Sequence, residues 1–452
     1  MVPSPRGRGD GKAKSDNDDS HWGYEGPFAQ PIKETYRNRS RPRCAATDRS
    51  NRRPNLNQYP RKNRSLETYD VAVIGAGPAG VMAAWKAAES HARTLLIERE
   101  GSPGKKVCAE GVLADVLTDA EVRPVPEFVA NEISGAFLYA PDEAKRVNVG
   151  GEGYILDKPA FLRVLADRAE KAGAVARYST SVEDIERKDG LIEIRSKTDG
   201  EPSSVKARVV IGCDGTGSIL ARRFFPRKNY QAITALQYSM TNCEVEDESK
   251  LEIYVGHEKA PAGYIWVFPK GKGDANVGIG VKGAGAKTLL DKFIDKHPKA
   301  FGSARVERTL AAPVPVGGEV ESYVADNMML CGDAAGQVIP LTGAGIHTGL
   351  VAGKIAGEEA AICALSGNTS AENLNHYRDR FNKLWGPRIS NSLRALDSFE
   401  RFSDPELNII TGLLEGQDLV EMANGFSPTR AVGLLARHPL LAMKVAYQLL
   451  TG

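Results

Sequence analysis

A glycine-rich turn at residues 75–80 constrains the fold of this 452-residue chain more than any other segment. It reads Gly-Ala-Gly-Pro-Ala-Gly and lies between a predicted strand at residues 71–74 and a predicted helix at residues 79–89. Glycines at this spacing permit a tight turn and let a pyrophosphate approach the backbone at a helix N-terminus. Glu98 ends the next predicted strand, residues 94–97, and can accept hydrogen bonds from both ribose hydroxyls of an adenosine. The pattern predicts a βαβ unit that binds a dinucleotide, with NAD and FAD both open.

Two later segments repeat the design of a strand followed by a glycine-rich turn with an acid. They are residues 209–218, which contain Asp214, and residues 328–335, which contain Asp333. An aspartate at such a place can bind a ribityl hydroxyl, and a helix predicted from near Gly345 would direct its N–H groups at the anionic edge of a reduced flavin. Each Gly-Asp pair alone is a common turn. Together, strand ends near residues 75, 214 and 333 predict one extended FAD.

The charges of the chain are unevenly distributed. Residues 1–68 carry 15 Lys and Arg against 8 Asp and Glu, whereas residues 69–452 carry 44 against 49. The body is therefore mildly acidic, which argues against nucleic acid as a partner. The first segment shows no apolar periodicity, so we expect a disordered basic tail. Its acidic residues disfavour a transit peptide, and a further hypothesis places the natural start at a non-standard codon for Leu66, which would make residues 1–65 an artefact.

Cysteine content and hydropathy exclude further classes. The six cysteines include no Cys-x-x-Cys pair, so we expect a reducing compartment and no disulfide framework, zinc site or iron–sulfur site. The longest charge-free run, residues 334–353, is rich in glycine and lacks the dense Leu, Ile, Val and Phe of a membrane span. We interpret it as a glycine-rich loop that enters a helix.

Hydrophobic patterning divides the chain into segments. Short alternating strands between residues 232 and 281 indicate an antiparallel sheet, and after residue 334 the pattern is mostly helical, with breaks at residues 403–405 and 425–428. We therefore predict an α/β fold: a discontinuous Rossmann-like FAD domain with an inserted antiparallel-sheet substrate domain and a C-terminal helical segment. The predicted bounds are 69–120, 151–230 and 323–366 for the FAD domain, 121–150 and 231–322 for the substrate domain, and 367–452 for the helical segment.

Three further segments carry a resemblance to a known family. They are Lys-Val-Cys-Ala-Glu-Gly at residues 106–111, Gly-Tyr-Ile-Leu-Asp-Lys-Pro-Ala-Phe at residues 153–161, and Tyr-Ile-Trp-Val-Phe-Pro at residues 264–269 with Gly-Ile-Gly at residues 278–280. From Tyr69 onward the chain resembles the geranylgeranyl reductase family, FAD-dependent enzymes of the aromatic-hydroxylase fold group. It most resembles the archaeal-type branch that acts on digeranylgeranylglycerophospholipids. The third segment is the most specific match.

The resemblance implies a set of cofactor and substrate contacts. With the glycine turn included, the implied FAD contacts are Gly75, Gly77, Ala79, Gly80, Glu98, Cys108, Ala109, Gly111, Lys158, Val182, Asp333, Gly345 and Ile346. Tyr264, Trp266 and Phe268 are implied to line the lipid site. Ala109 replaces the glycine of many relatives, and Lys158 replaces their usual arginine. A lysine is a point charge without the bidentate fork, so we expect a weaker hold on FAD there.

Several side chains leave alternatives open. Cys108 and Cys331 lie on loops that both converge on the flavin in this interpretation, so they could form a redox pair, or Cys108 could donate a proton to the substrate. A small buried apolar role is the commoner one for a cysteine placed like Cys331. The aromatic residues of 264–268 alternate with aliphatic ones, which an ordinary core strand explains as well as a lipid site does. His347 is expected to be a satisfied helix-terminal residue and not a catalytic one.

The resemblance implies an enzyme that saturates isolated alkenes of geranylgeranyl chains, with hydride from reduced FAD and a proton from an acid, in membrane lipid biosynthesis. The implied partners are a geranylgeranylated lipid, a membrane surface and an external electron donor, either ferredoxin or NAD(P)H, at a cytoplasmic, peripheral membrane location. Residues 429–450 suit an interfacial helix, and a helix packed on the body with a solvated basic face explains them equally. Alternatives are a reductase of geranylgeranyl diphosphate or a quinone side chain, a monooxygenase of the same fold, and a non-catalytic prenyl-binding protein.

Overall fold

The computed structural model describes residues 66–226, 230–283 and 285–416. In chain order the strands are β1 (Glu67–Ile74), β2 (Thr94–Ile97), β3 (Gly111–Leu113), β4 (Val129–Tyr139), β5 (Arg146–Leu156), β6 (Val175–Arg177), β7 (Thr180–Lys188), β8 (Leu191–Thr198), β9 (Glu201–Gly212), β10 (Ala232–Thr241), β11 (Lys250–Val255), β12 (Tyr264–Gly271), β13 (Asp274–Val281), β14 (Arg305–Pro315), β15 (Val324–Ala325) and β16 (Met328–Leu330). The helices are α1 (Pro78–Glu89), α2 (Asp115–Asp119), α3 (Lys158–Lys171), α4 (Ile219–Phe224), α5 (Ala286–Lys296), α6 (Pro298–Phe301), α7 (Ile346–Ser366), α8 (Ala371–Leu384), α9 (Gly386–Phe399) and α10 (Asp404–Thr411).

The first sheet brings three parallel strands to one edge. Its order is β15-β16-β9-β1-β2-β6, and the β7–β8 hairpin extends it through the pairing of β8 with β9. Strand β9 pairs in parallel with both β1 and β16, and the register aligns Ile74 with Gly212 and Gly212 with Leu330. Continuous apolar runs of this kind are typical of parallel strands buried on both faces. The prediction that the strand ends near residues 75, 214 and 333 come together is confirmed.

Helices α1 and α7 approach each other very closely over this sheet. A Cβ atom placed on Gly353 would lie 2.1 Å from the carbonyl oxygen of Ala79, and one on Gly357 would lie 2.4 Å from that of Ala83. Only glycine permits this approach, because any side chain would meet backbone of the partner helix. Four residues further along α7, the contact is four residues further along α1, so the two helices run parallel. Their N-termini therefore lie close together at the edge where the strands end.

The second sheet has the order β14-β10-β13-β12-β11-β4-β5-β3. Its neighbours pair antiparallel except β11 and β4, which pair in parallel. The antiparallel sheet predicted between residues 232 and 281 is confirmed, since β10, β11, β12 and β13 pair antiparallel with one another. The parallel pair joins β11 to β4, which lies outside that range. No hairpin dictates the direction of this pair, because the chain between β4 and β11 passes through the first sheet. Strand β3 and all of β5 also belong to this sheet, so the chain does not change sheets at residues 120 and 150. The division into domains stays a prediction.

Strand β12 separates two apolar clusters. Ile265 and Val267 are fully buried in a cluster that α5 covers. Trp266 and Phe268 point to the opposite face, as alternate residues of a strand do, and belong to another cluster against which Ala109 packs. This second face of the sheet therefore meets the segment at residues 106–111.

The helices α8, α9 and α10 follow α7. Helix α10 begins at Asp404 with a capping box between Ser403 and Glu406, which confirms the predicted break at residues 403–405. The tail up to residue 65, the predicted break at residues 425–428 and the predicted helix at residues 429–450 lie outside the described residues. In the ranges that the structure does describe, no helix has both the length and the apolar character needed to cross a bilayer.

His297, between α5 and α6, contacts two acceptors through its two ring nitrogens. Its Nδ1 lies 2.7 Å from the carbonyl oxygen of Phe293, and its Nε2 lies 2.8 Å from a carboxylate oxygen of Glu143. Both nitrogens donate only in the imidazolium. Burial is the largest single effect and disfavours the charged ring, but the hydrogen bonds to Glu143 and to the Phe293 carbonyl, together with the charge of Glu143, outweigh it and the pKa of His297 is raised. The hydrogen bond with His297 lowers the pKa of Glu143 to about 2 against the effect of its own burial.

We expect this pair to stabilise the fold most in mildly acidic solution. The contribution of His297 is complete below the ordinary histidine pKa of about 6.5 and is lost as pH rises through the raised folded-state pKa. The contribution of Glu143 is lost only as pH falls from about 4.5 toward about 2. His297→Gln should therefore lower the free energy of unfolding, measured by urea denaturation, more at about pH 5.5 than at about pH 9. Equal losses at both pH values would contradict this account.

Candidate active site

The glycine turn after β1 has room for a side chain at one of its three glycines and no room at the other two. Gly75 has a φ of +99°, and a Cβ there would lie 2.4 Å from the carbonyl oxygen of Cys213, while a Cβ on Gly80 would lie 1.7 Å from that of Gly75. Gly77 has nothing within 4 Å of the place where its Cβ would be. Gly75 and Gly80 are thus required by the fold itself, whereas Gly77 leaves a free backbone face at the N-terminus of α1, as an approaching phosphate needs.

Glu98 is tied to this turn through its carboxylate. One oxygen accepts a hydrogen bond from the backbone N–H of Ala76 at 2.6 Å, and the other accepts one from Glu100 at 2.9 Å. The backbone carbonyl of Glu98 accepts from Thr180, two residues before Val182 on β7. The structure therefore places Glu98 beside the first residue of β7, the strand that carries Val182, while the contacts of both residues with an adenosine stay a prediction.

Two aspartates lie at the ends of the neighbouring strands. Asp214 accepts a hydrogen bond from the N–H of Ile219 at 2.8 Å through one oxygen, and burial raises the pKa of its carboxyl. Its other oxygen is buried and has no partner among the described residues. Asp333 forms an ion pair with Lys106 and lies close to Gly345, where a Cβ would be 3.4 Å from its carboxylate. An open glycine face at the N-terminus of α1, with the partly exposed Asp333 carboxylate after a strand that ends at the same edge of the sheet, fits a cofactor with phosphate and hydroxyl groups, so the residues present fit an FAD.

The loop between β16 and α7 is held by a glutamine that the sequence did not single out. Gln337 is fully buried, accepts from the N–H of Gly332 at 2.8 Å and donates to the hydroxyl of Tyr377 at 2.8 Å. Its carbonyl oxygen accepts from the Thr348 hydroxyl at 2.6 Å. Helix α7 then begins at Ile346 with Gly345 as its N-cap, which confirms the helix start predicted there. A glutamine in a glycine-rich loop carries no signal for such a role.

Residues 106–111 form a loop between the two sheets. Lys158 is buried at the start of α3, and its ammonium donates to the carbonyl oxygen of Lys106. The Cys108 sulfur is half-buried and accepts a hydrogen bond from the N–H of Glu110 at 3.3 Å. A Cβ on Gly111 would lie 2.8 Å from the ring of Phe268. The loop is thus fixed against α3 and β12. Cys108 itself packs against the apolar core of the first sheet, and its thiol is near enough to Tyr264 on β12 to contribute to the raised pKa of that hydroxyl.

Cys331 does not lie against Cys108. It is 1% exposed at the end of β16, where its described partners are the thiol of Cys213 and the hydroxyl of Tyr377. Burial, with Cys331 adding to it, raises the pKa of the Cys213 thiol well above its ordinary value. A redox pair of Cys108 with Cys331 is therefore not what these contacts indicate, and a small buried residue at a strand end fits Cys331.

The predicted substrate residues form one wall on the inner face of β12. The hydroxyl of Tyr264 donates to the carbonyl oxygen of Thr342 at 2.5 Å, in the loop before α7, and burial raises its pKa to about 12. The indole of Trp266 donates to Gln237 at 3.2 Å and covers Gly278, where a Cβ would lie 2.2 Å from the ring. This contact explains why the Tyr-x-Trp-x-Phe-Pro segment is paired with Gly-x-Gly. The wall joins the loop before α7 to residues 106–111.

The side chain of His347 is engaged by two neighbouring residues. Its Nε2 lies 2.5 Å from a carboxylate oxygen of Asp119, and its ring packs edge-on against Trp385 at 4.9 Å. These contacts favour the structural role that the sequence predicted for it. Within the described ranges no cluster of His, Cys, Asp and Glu could hold a metal ion.

Comparison with known proteins gives concordant matches over both sheets. A model described as FAD dependent oxidoreductase matches residues 70–229, and a model described as geranylgeranyl reductase catalytic domain matches residues 231–314. Digeranylgeranylglycerophospholipid reductase 2 of Methanopyrus kandleri is 37% identical over 388 residues, 82% of this chain and 97% of the relative. The digeranylgeranylglycerophospholipid reductase of Methanothrix thermoacetophila is 38% identical over 368 residues, 78% of this chain and 93% of the relative.

Solved structures agree with these matches. A geranylgeranyl bacteriochlorophyll reductase-like protein from Thermoplasma acidophilum has a TM-score of 0.77 and 29% identity, and the match covers 84% of this chain and 99% of that protein. The flavin-dependent halogenase CmlS has a TM-score of 0.62 and 17% identity, with 84% of this chain and 72% of the halogenase covered. The halogenase shares the fold alone.

Proposed function

The chain belongs to the geranylgeranyl reductase family of FAD-dependent oxidoreductases, and from that membership we propose that it saturates the alkenes of geranylgeranyl chains carried by an archaeal-type glycerophospholipid. The product would be a saturated membrane lipid. The observation that carries the proposal is the contact between the two predicted halves of the site. Ala109, in the loop assigned to the flavin, packs against the same apolar cluster as Trp266 and Phe268, which are assigned to the lipid.

Different residues around this contact are proposed to bind different parts of the FAD. Bound FAD in its reduced form supplies the hydride for one alkene carbon. The open face of Gly77 and the N-terminus of α1 receive the pyrophosphate, Glu98 receives the adenosine ribose, and Asp333 receives a ribityl hydroxyl. The N-terminus of α7, from Gly345, stabilises negative charge at the flavin edge.

The lipid side supplies a dry wall and an acid. Trp266 and Phe268 exclude water along the chain of the substrate, and Tyr264 closes the wall against the loop before α7. Cys108 is the proposed proton donor to the second alkene carbon, since its thiol is half-buried, interacts electrostatically with the Tyr264 hydroxyl and is hydrogen bonded within its own loop. One hydride and one proton complete the saturation of each alkene.

The remaining partners follow from the substrate and the cofactor. A membrane-borne lipid requires contact with a membrane surface, so a peripheral, cytoplasmic location is part of the proposal. A second Gly-x-Gly-x-x-Gly pattern, residues 278–283, begins inside β13 and not at a turn that opens a helix, so it adds no second dinucleotide turn like that of residues 75–80. The proposed source of the electrons is an external donor, ferredoxin or a transiently bound NAD(P)H.

Product mass tests the proposed function. Holoprotein kept reduced with excess dithionite is incubated in detergent micelles with a glycerophospholipid that carries two geranylgeranyl chains. A gain of two hydrogens for each alkene supports the proposal. A gain of one oxygen in the presence of air indicates a monooxygenase, and saturation of geranylgeranyl diphosphate alone reassigns the substrate. Purified protein that stays colourless and cannot be reconstituted with FAD indicates a prenyl-binding protein.

A further inference from the structure

Glu110 connects the loop at residues 106–111 to the second sheet through a nearly buried carboxylate. One oxygen accepts from the ammonium of Lys270 on β12 at 2.5 Å and from the amide of Asn276 on β13 at 2.9 Å. The other oxygen accepts from the backbone N–H of Lys158, the first residue of α3, at 3.3 Å. The side chain is 13% exposed, and a carboxylate with so little access to water needs such partners to offset the cost of its burial. Three separate elements therefore converge on one side chain.

The backbone of Glu110 is held as firmly as its side chain. Its φ is +71°, a left-handed conformation that is uncommon for glutamate and persists where the surroundings impose it. Its carbonyl oxygen accepts from the N–H of Leu156 at 2.9 Å, and its own N–H donates to the sulfur of Cys108 at 3.3 Å. The amide of Asn276 also donates to the carbonyl oxygen of Ala109, at 3.2 Å. The contacts of the Glu110 carboxylate therefore stabilise the backbone conformation in which the Glu110 N–H points toward the Cys108 thiol.

The partners of Glu110 belong to rigid elements, whereas the loop itself has no regular structure. Lys270 and Asn276 stand on neighbouring strands of the second sheet, and Asn276 is 1% exposed. Removing one member of a nearly buried ion pair leaves the other without compensation, so the closed loop loses stability relative to opened forms. The loop position therefore depends on the charges of Glu110 and Lys270, not only on apolar packing.

We propose that Glu110 is a positioning residue for Cys108, with Lys270 and Asn276 as its anchors on the second sheet. We call Glu110 with its partners Lys270 and Asn276 the clamp. The clamp holds the thiol at the junction between the loop and the aromatic wall, and the Glu110 N–H donates a hydrogen bond to the sulfur. That the junction is where flavin and lipid meet rests on the proposed function. The effect of the clamp on the position of Cys108 can be measured without turnover.

Alkylation of Cys108 by iodoacetamide, followed peptide by peptide in the FAD-loaded protein by mass spectrometry, tests the clamp. Glu110→Gln keeps the size of the side chain but presents an amide to two donors, and Lys270→Met removes the cation and keeps the stem. Each variant should make Cys108 react about tenfold faster, because the loop opens more often. The double variant should react no faster than either single variant, since the pair acts as a unit.

Two controls separate a clamp from a general loss of stability. Cys243 is buried in the other apolar cluster of the same sheet and reports loosening of the sheet within the same sample. Lys259→Met removes another partly buried ion pair of that sheet, with Glu143, away from the loop, and should leave the reactivity of Cys108 unchanged. Wild-type reactivity of Cys108 in the folded Glu110 and Lys270 variants would overturn the proposal, as would parallel increases at Cys108 and Cys243. Because no lipid is turned over, failure of the proposed function would leave these results unaffected.

Discussion

Replacing Gly77 with alanine is expected to leave the apoprotein folded and to lower its affinity for FAD by about a hundredfold, which corresponds to about 2.7 kcal/mol. The backbone at Gly77 has a φ of −76° and a ψ of −177°, which alanine adopts without strain. Apart from Gly77 and its two chain neighbours, no described residue has an atom within 4 Å of the new methyl group. The methyl group would stand on the free backbone face where the pyrophosphate has to approach. The measurements are the thermal midpoint of the apoprotein and the dissociation constant of FAD from flavin fluorescence.

Gly80→Ala is the matched control in the same turn. Its methyl group would lie 1.7 Å from the carbonyl oxygen of Gly75, so the turn itself has to deform. We expect a lower thermal midpoint of the apoprotein together with the loss of FAD, whereas Gly77→Ala should lose FAD alone. Wild-type affinity in Gly77→Ala would show that the pyrophosphate does not cross the turn at that residue.

Replacing Cys108 with alanine is expected to lower lipid turnover by about a hundredfold to ten-thousandfold while FAD stays bound. The thiol is the proposed source of the proton, and an isolated alkene has no carbonyl group through which the enzyme could stabilise charge in another way. The thiol also lies on a loop that other residues hold in place, so its removal should not unfold the site. The measurements are the rate of lipid saturation and the flavin absorbance per protein.

Cys243→Ala provides the comparison for this variant. Cys243 is buried in the cluster under α5, on the face of the second sheet opposite to the aromatic wall, so its loss tests whether removal of any thiol affects turnover. We expect it to retain turnover. A Cys108→Ala protein with full FAD content and full turnover would remove Cys108 from the mechanism.

The parts of the fold that the sequence predicted correctly are those with a local signal. Strand β2 was predicted with its observed bounds, because residues 94–97 form a short apolar run between a turn and an acid. Helix α1 begins one residue before the predicted start, at the proline that follows Gly77. The three strand ends could be brought together because parallel neighbours in an α/β sheet end at one edge and ligands bind there.

The parts that the sequence did not predict depend on distant pairing. The parallel pair of β4 and β11 joins segments more than a hundred residues apart, and alternation within either strand is the same for a parallel or an antiparallel neighbour. The spacing of Gly349, Gly353 and Gly357 was a usable signal for close helix packing, but the first two lie in the charge-free run, which was interpreted from its glycine content alone. Glu110 offered no signal, since its partners come from β12, β13 and α3.

In the candidate site, too, the sequence did not predict the features that depend on contacts between distant segments. The aromatic residues of β12 could have belonged to either face of the strand, and only the fold shows that Trp266 and Phe268 face the loop with Cys108 while Val267 faces α5. A redox pair of Cys108 with Cys331 was one of the alternatives that the sequence left open, and the described partners of Cys331, which are Cys213 and Tyr377, do not favour it. Cys331 ends a buried strand next to Cys213, whereas Cys108 stands between the sheets.

A single-turnover experiment tests the central claim most directly. The FAD-loaded protein is reduced with one equivalent of dithionite under strictly anaerobic conditions and mixed with the geranylgeranylated glycerophospholipid, while flavin absorbance and lipid mass are followed together. The account predicts that the oxidised flavin spectrum returns at the rate at which the lipid gains two hydrogens, with one alkene saturated for each flavin. Flavin that stays reduced beside an unchanged lipid, and is reoxidised only when oxygen is admitted, would contradict it.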